Sequence, residues 1–146
     1  MLSVTKKVLF VCVENSCRSQ MAEAFAKILG EGVIESYSSG SRPSGKVTVK
    51  AVASMKDFGY DLSSHSSKSL HEIPPITFDC VVTMGCGDQC ANVHAKKRED
   101  WKIADPKHME MEQFNEIRDS VKEKVIRLVE ELKRTNNANH KTTREI

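Results

Sequence analysis

No stretch of this 146-residue chain approaches the ~20 consecutive apolar residues of a membrane span. A dominant charge is missing too: 22 Lys and Arg stand against 20 Asp and Glu, a net charge of +2. That balance argues against nucleic acid or an anionic membrane as the main partner. The first apolar run is followed directly by Glu14-Asn15, with no cleavage-like small-residue site, so it reads as a core strand rather than a signal peptide. Aromatic residues make up only 5% of the chain. An even set of cysteines is absent as well. The five, at 12, 17, 80, 86 and 90, are odd in number and lack a secretion signal. This disfavours a disulfide scaffold and favours reduced cytoplasmic thiols with chemical roles. There is no internal repeat and no sign of a second domain.

What is present is enough for one core, with 39% hydrophobic and 29% charged residues. The pattern alternates strand and helix. Lys7 to Cys12 is a β-branched-rich run, and Cys17 to Leu29 has helical spacing with Gly30 placed to cap it. Val33 to Ser39 alternates as a second strand closed by Gly40, and Val49, Val52, Met55 and Phe58 mark a second helix stopped at Gly59. Phe78 to Met84 predicts a third strand buried on both faces, and Trp101 to Ala104 a short fourth. The last helix carries Phe114, Ile117, Val121, Val125, Leu128 and Leu132. Residues 1–134 are thus expected to form a single catalytic domain, and 135–146 a polar, aperiodic, mobile tail. Repeated βα units imply an α/β fold in three layers, a four-stranded parallel sheet flanked by helices, with right-handed crossovers. Sites in such folds lie beyond the carboxyl ends of the strands. Cys12, Cys86 and Asp105 each follow a predicted strand and can converge there.

The segment Cys12-Val-Glu-Asn-Ser-Cys-Arg18-Ser19 lies between the first strand and the first helix. A loop entering a helix there turns the N–H groups of Val13, Glu14, Asn15, Ser16, Cys17 and Arg18 inward, making an anion socket. The thiol of Cys12 is expected at the bottom and the Arg18 guanidinium at the rim. The amides, the helix N-terminus and Arg18 favour thiolate, and Ser19 is placed to donate to the sulfur. Arg18 offers a planar fork for two oxygens of a tetrahedral anion. Asn15 is expected to hold the loop's backbone shape through side-chain bonds. A bare Cys-x5-Arg spacing is weak, since it also fits a core cysteine and a solvated arginine; the following serine and the strand–loop–helix setting make it specific.

On these residues the chain, from about Lys7 to Leu132, resembles the low-molecular-weight tyrosine phosphatase fold. Asn15-Ser-Cys-Arg-Ser-Gln-Met-Ala-Glu23 resembles more narrowly its arsenate reductase branch of the thioredoxin-coupled type; Ser16 and Gln20 stand where the phosphatases carry Ile and Pro. The resemblance implies that Cys12 is the nucleophile, Cys86 the second thiol and Cys90 the last of a relay, with the Met84-Gly-Cys86-Gly-Asp-Gln-Cys90 segment able to move. No tightly bound cofactor is implied; the reductant is an external thiol donor, expected to be thioredoxin, and the substrate arsenate or a phosphate-like oxyanion. Cys86, Cys90 and His94 are also spaced i, i+4, i+8, as zinc ligands on one helical face would be, although a fourth ligand is lacking. Cys80 reads as core, and Cys17 as shaping the socket.

Trp101-Lys-Ile-Ala-Asp105-Pro106 resembles the fold's general-acid segment, with Asp105 protonating the departing oxygen. The lesser alternative is that Asp105 merely caps a turn before the proline. Lys107 and His108 stand where the phosphatases place tyrosines around a phenyl ring, which suits a small inorganic anion. Glu23 and Ser38 resemble positions that hold potassium in some reductases, and Lys68 is expected to supply that charge itself. His65, His71, His108 and His140 are expected on the surface. The function expected is reduction of arsenate to arsenite for detoxification in the cytoplasm. The alternative is a phosphatase hydrolysing phosphate monoesters through a Cys12 phosphoenzyme.

Overall fold

Alternation along the first apolar run sets the sheet. In β1 (Lys6–Cys12), Val8 and Phe10 face one side and Leu9 and Val11 the other, all fully buried. A strand buried on both faces must be central, and it is: the order is β2-β1-β3-β4, with every pairing parallel. The computed structural model describes residues 5–85 and 93–145. β2 is Ile34–Gly40, β3 Cys80–Thr83 and β4 Arg98–Asp100. The chain leaves β1 toward one neighbour and returns on its other side, so the strand order reverses at β1 and a crevice opens at its carboxyl end. There Cys12 pairs with Gly40, and Val11 with Thr83.

Among the described residues the α-helices are α1 (Arg18–Leu29), α2 (Val49–Lys56) and α3 (Met111–Glu145). They share one core with the Val8–Phe10 face, through Met21 and Phe25 of α1, Ala51 and Met55 of α2, and Phe114, Val121, Val125 and Leu128 of α3. The Leu9–Val11 face is covered by a third layer containing the 3-10 turn Leu70–Glu72, with Leu70, Ile73, Ile76, Val93 and Tyr37 packed on Phe78 and Val81. Among the described residues, no helix is long and apolar enough to cross a membrane.

Two boundaries differ from expectation. The fourth strand is Arg98–Asp100, not Trp101–Ala104. Among the described residues it is an edge strand, paired only with β3, so charged side chains serve there, while Trp101 and Ile103 leave the ladder to enter the core. The apolar residues that suggested a strand are buried for packing, with the Trp101 ring 5.8 Å from Phe10. The expected break at 135 is the second difference, because α3 continues to Glu145. The stretch holds neither proline nor glycine, and extending a formed helix is far easier than nucleating one. Among the residues whose burial is described, the last buried apolar one is Leu132.

Candidate active site

The Cys12 loop is held from below. The carbonyls of Val13, Glu14 and Ser16 accept from the amides of Arg42, Ser44 and Thr48 at 2.7, 3.1 and 3.1 Å. Among the described residues, the N–H groups of Val13, Glu14, Asn15, Ser16 and Cys17 make no hydrogen bond. Carbonyls out and amides free is the arrangement of an anion socket. α1 begins at Arg18 with no side-chain cap and no acidic residue in its first turn, so its positive end is also uncompensated. A Cβ on Gly40 would lie 2.6 Å from the Val13 carbonyl and 2.8 Å from the Asn15 nitrogen, so the loop can sit against β2 only over glycine.

Asn15 has φ 51°, the only non-glycine residue with positive φ among those described. Asparagine tolerates this conformation because its short side chain can bond locally. Here its Oδ1 accepts from the Lys68 amide at 2.7 Å and from Gln20 Nε2 at 2.8 Å, while its Nδ2 donates to Ser19 Oγ at 2.8 Å. Ser19 Oγ lies 2.9 Å from Cys12 Sγ. Asn15 donates to that oxygen and leaves the hydroxyl hydrogen available, so a thiolate at Cys12 would accept it.

The chain of bonds continues inward. Gln20 Nε2 also reaches the Ser66 carbonyl at 2.9 Å, and His65 Nδ1 lies 2.9 Å from Gln20 Oε1. His65 Nε2 is then free to accept from Tyr60 OH at 2.5 Å, which defines a neutral imidazole. His65 is not a surface residue: its side chain is 6% exposed, and burial pushes its pKa down against the opposing pull of Glu23. Glu23 and Ser38 do meet, with Ser38 Oγ donating to Glu23 Oε1 at 2.5 Å. The cation on Glu23, however, is Lys27 at 2.9 Å, and Lys68 Nζ instead donates to Ser66 O. Lys27 lies one turn along the same helix, within easy reach of the carboxylate.

Arg18 is buried rather than at the rim, and its Nη1 donates to the Met84 and Ile103 carbonyls at 2.8 and 3.1 Å. It thereby ties α1 to the segments after β3 and β4. Gly85, at φ 84°, makes room, because a Cβ there would come within 2.7 Å of Nη1. Arg18 Nη2 stands 3.7 Å from Asp105 Oδ2. Asp105 also caps its turn, its Oδ1 accepting from the Lys107 amide at 3.1 Å. The turn-capping role expected of Asp105 is therefore present. At the mouth, Lys107 Nζ bonds both carboxylate oxygens of Glu14, at 2.9 and 2.8 Å.

The remaining thiols separate by environment. Burial raises the pKa of Cys17, although Thr48 Oγ1 at 3.1 Å opposes it, and pushes that of Cys80 up to about 12. Cys86 and Cys90, and with them the zinc alternative, lie outside the described residues. The sequence motifs do not single out the Glu14–Lys107 pair, Gly40, Thr48 or the His65–Gln20 link. Only Gly40, closing a strand beside the loop, carried a signal that could have found it.

The central strand of the parallel sheet thus ends in a thiol-bearing, amide-lined loop suited to an oxyanion. The comparisons agree. The sequence profile of the low molecular weight phosphotyrosine protein phosphatases matches residues 7–138. The glutaredoxin arsenate reductase of Synechocystis sp. is 40% identical over 127 residues, 85% of this chain and 96% of that protein. A solved arsenate reductase in its phosphate binding state superposes with a TM-score of 0.78 at 38% identity, over 88% of this chain and 99% of its own. A YwlE arginine phosphatase superposes with a TM-score of 0.75 at 27% identity, over 87% and 95%. The chain belongs to the low molecular weight phosphotyrosine protein phosphatase family, in the branch whose members are named arsenate reductases.

Proposed function

We propose that the protein reduces arsenate to arsenite through a Cys12, Cys86 and Cys90 relay, as a cytoplasmic detoxifying enzyme. The observation that carries the first step is the Cys12 sulfur 2.9 Å from the Ser19 hydroxyl, in a loop with unpaired amides. The Cys12 thiolate attacks arsenic, and Asp105 protonates the oxygen that departs as water. Arg18 and the amides of residues 13–18 hold the remaining oxygens. Arg18 acts after exchanging carbonyl contacts for the anion. Cys86 then attacks the Cys12 sulfur: the S–As electron pair stays on arsenic, arsenite leaves, and a Cys12–Cys86 disulfide forms. Cys90 attacks Cys86 and releases Cys12 as thiolate, and an external dithiol reduces the Cys86–Cys90 disulfide. The close approach of the backbone at Gly85, one residue before Cys86 in sequence, to Arg18 supports this route, since a Cβ there would lie 2.7 Å from Nη1. Thioredoxin and glutaredoxin both have the required chemistry; the Synechocystis relative is named for the second.

A phosphatase reading shares the loop and Asp105 but needs neither Cys86 nor Cys90, since water resolves a phosphoenzyme. The test is arsenate-dependent NADPH oxidation, coupled through thioredoxin or glutaredoxin, beside aryl phosphate hydrolysis. Cys86→Ser and Cys90→Ser are expected to abolish the first and spare the second. Normal arsenate reduction by both variants would refute the relay.

A further inference from the structure

The Glu14–Lys107 pair joins the two walls of the site. Glu14 lies two residues after Cys12 on the anion loop, and Lys107 two residues after Asp105 on the facing segment. The contact is bidentate, with both carboxylate oxygens on one ammonium. Lys107 is also fixed at its own backbone, where its N–H donates to Asp105 Oδ1. The loops face each other independently of this pair, through Arg18 and Asp105 at 3.7 Å. The groups share one field: bonding to Glu14 raises the Lys107 pKa, Asp105 and Cys17 add to it, and Cys17 in turn feels Asp105 and Cys12.

We infer that Glu14 and Lys107 form a clasp across the mouth, a specificity determinant that admits a small tetrahedral oxyanion and hinders an aryl phosphate ester. The inference rests on reading the Cys12 loop as the oxyanion site. An ester must carry its ring out between the two walls, where the bridging side chains stand, whereas arsenate has nothing to project. Because both partners are partly exposed, at 30% and 39%, the clasp is a modest barrier, opened by salt or by loss of either charge.

The test uses Lys107→Met, Glu14→Gln and the double charge swap Glu14→Lys/Lys107→Glu. Each single variant is expected to raise kcat/KM for aryl phosphate relative to that for arsenate by about fivefold, and the swap to return the ratio to within about twofold of wild type. Cys12 labelling provides a readout independent of turnover. With modification at Cys12 read by peptide mass spectrometry, N-phenylmaleimide should gain on iodoacetamide by a similar factor in the single variants and not in the swap. Unchanged labelling and kinetic ratios in the single variants, or a swap that behaves like them, would overturn the clasp. If the wild type turns over neither substrate, the proposed function fails, while the labelling ratio still decides the clasp.

Discussion

The floor and the mouth of this site are built by opposite means. Asn15, Ser19, Gln20 and Ser38 are fully buried and bonded to one another or to buried neighbours. Glu14, Lys107 and Asp105 keep 30%, 39% and 45% of their side chains exposed and meet through ion pairs and a turn. A buried polar group that loses its partner costs ~1–3 kcal/mol, whereas an exposed ion pair contributes a fraction of that. The floor must therefore behave as one unit, and the mouth as separable parts. On the proposed function, the chemistry at the Cys12–Ser19 contact falls in the first and the proposed selection of substrate in the second.

The strongest way to break this contrast is Asn15→Ala. The change strands the Lys68 amide and the Gln20 amide, removes a donor to Ser19, and places alanine at a positive φ. A loss of about 3 kcal/mol in urea unfolding is expected. Asn15→Gly relieves the backbone term alone and should recover about 1 kcal/mol of it. Equal losses in both variants would mean that the side-chain bonds carry everything.

The same contrast explains what could be read from the sequence. Periodicity located β1, α1, α2 and α3 because each has an apolar face, and the loop was legible because Cys12, Asn15, Arg18 and Ser19 are close in sequence. Edge strand β4 was misplaced because its residues are charged and its pairing is set by β3. The sequence does not disclose that His65 is buried, because burial by distant segments leaves no local trace. Its partners are Gln20, 45 residues away, and Tyr60. Lys68 was assigned the role that Lys27 takes, because motif position says nothing about which ammonium can reach Glu23.

A smaller effect sharpens the account of the floor. His65 has a pKa below its ordinary value of 6.5, chiefly from burial, with Glu23 raising it and Lys27 and Lys68 lowering it. The unfolded chain then binds this proton more readily than the folded one, so stability falls as pH drops below about 6.5 toward the depressed value. His65→Gln removes that dependence. The variant should be less stable than wild type at pH 7.5 by about 1 kcal/mol, with the gap narrowing by pH 5.5 in urea midpoints. Taking the difference between the two proteins cancels the carboxylates that titrate in both. A gap independent of pH would show that the imidazole is not held neutral, and that the Tyr60–His65–Gln20 chain has another polarity.

The smallest effect expected is at the mouth, and its smallness is the point. Lys107→Met removes a bidentate contact that, counted by hydrogen bonds, looks as strong as any on the floor. Water replaces it on both sides, because neither Glu14 nor the end of Lys107 is enclosed, so the urea midpoint should move far less than in Asn15→Ala. Raising the salt concentration should shrink even that shift, while leaving the Asn15→Ala loss in place, because screening acts on exposed charges and hardly on buried neutral bonds. A loss at Lys107 as large and as salt-resistant as at Asn15 would mean that floor and mouth are one cooperative unit. Selectivity could not then be altered there without altering the fold.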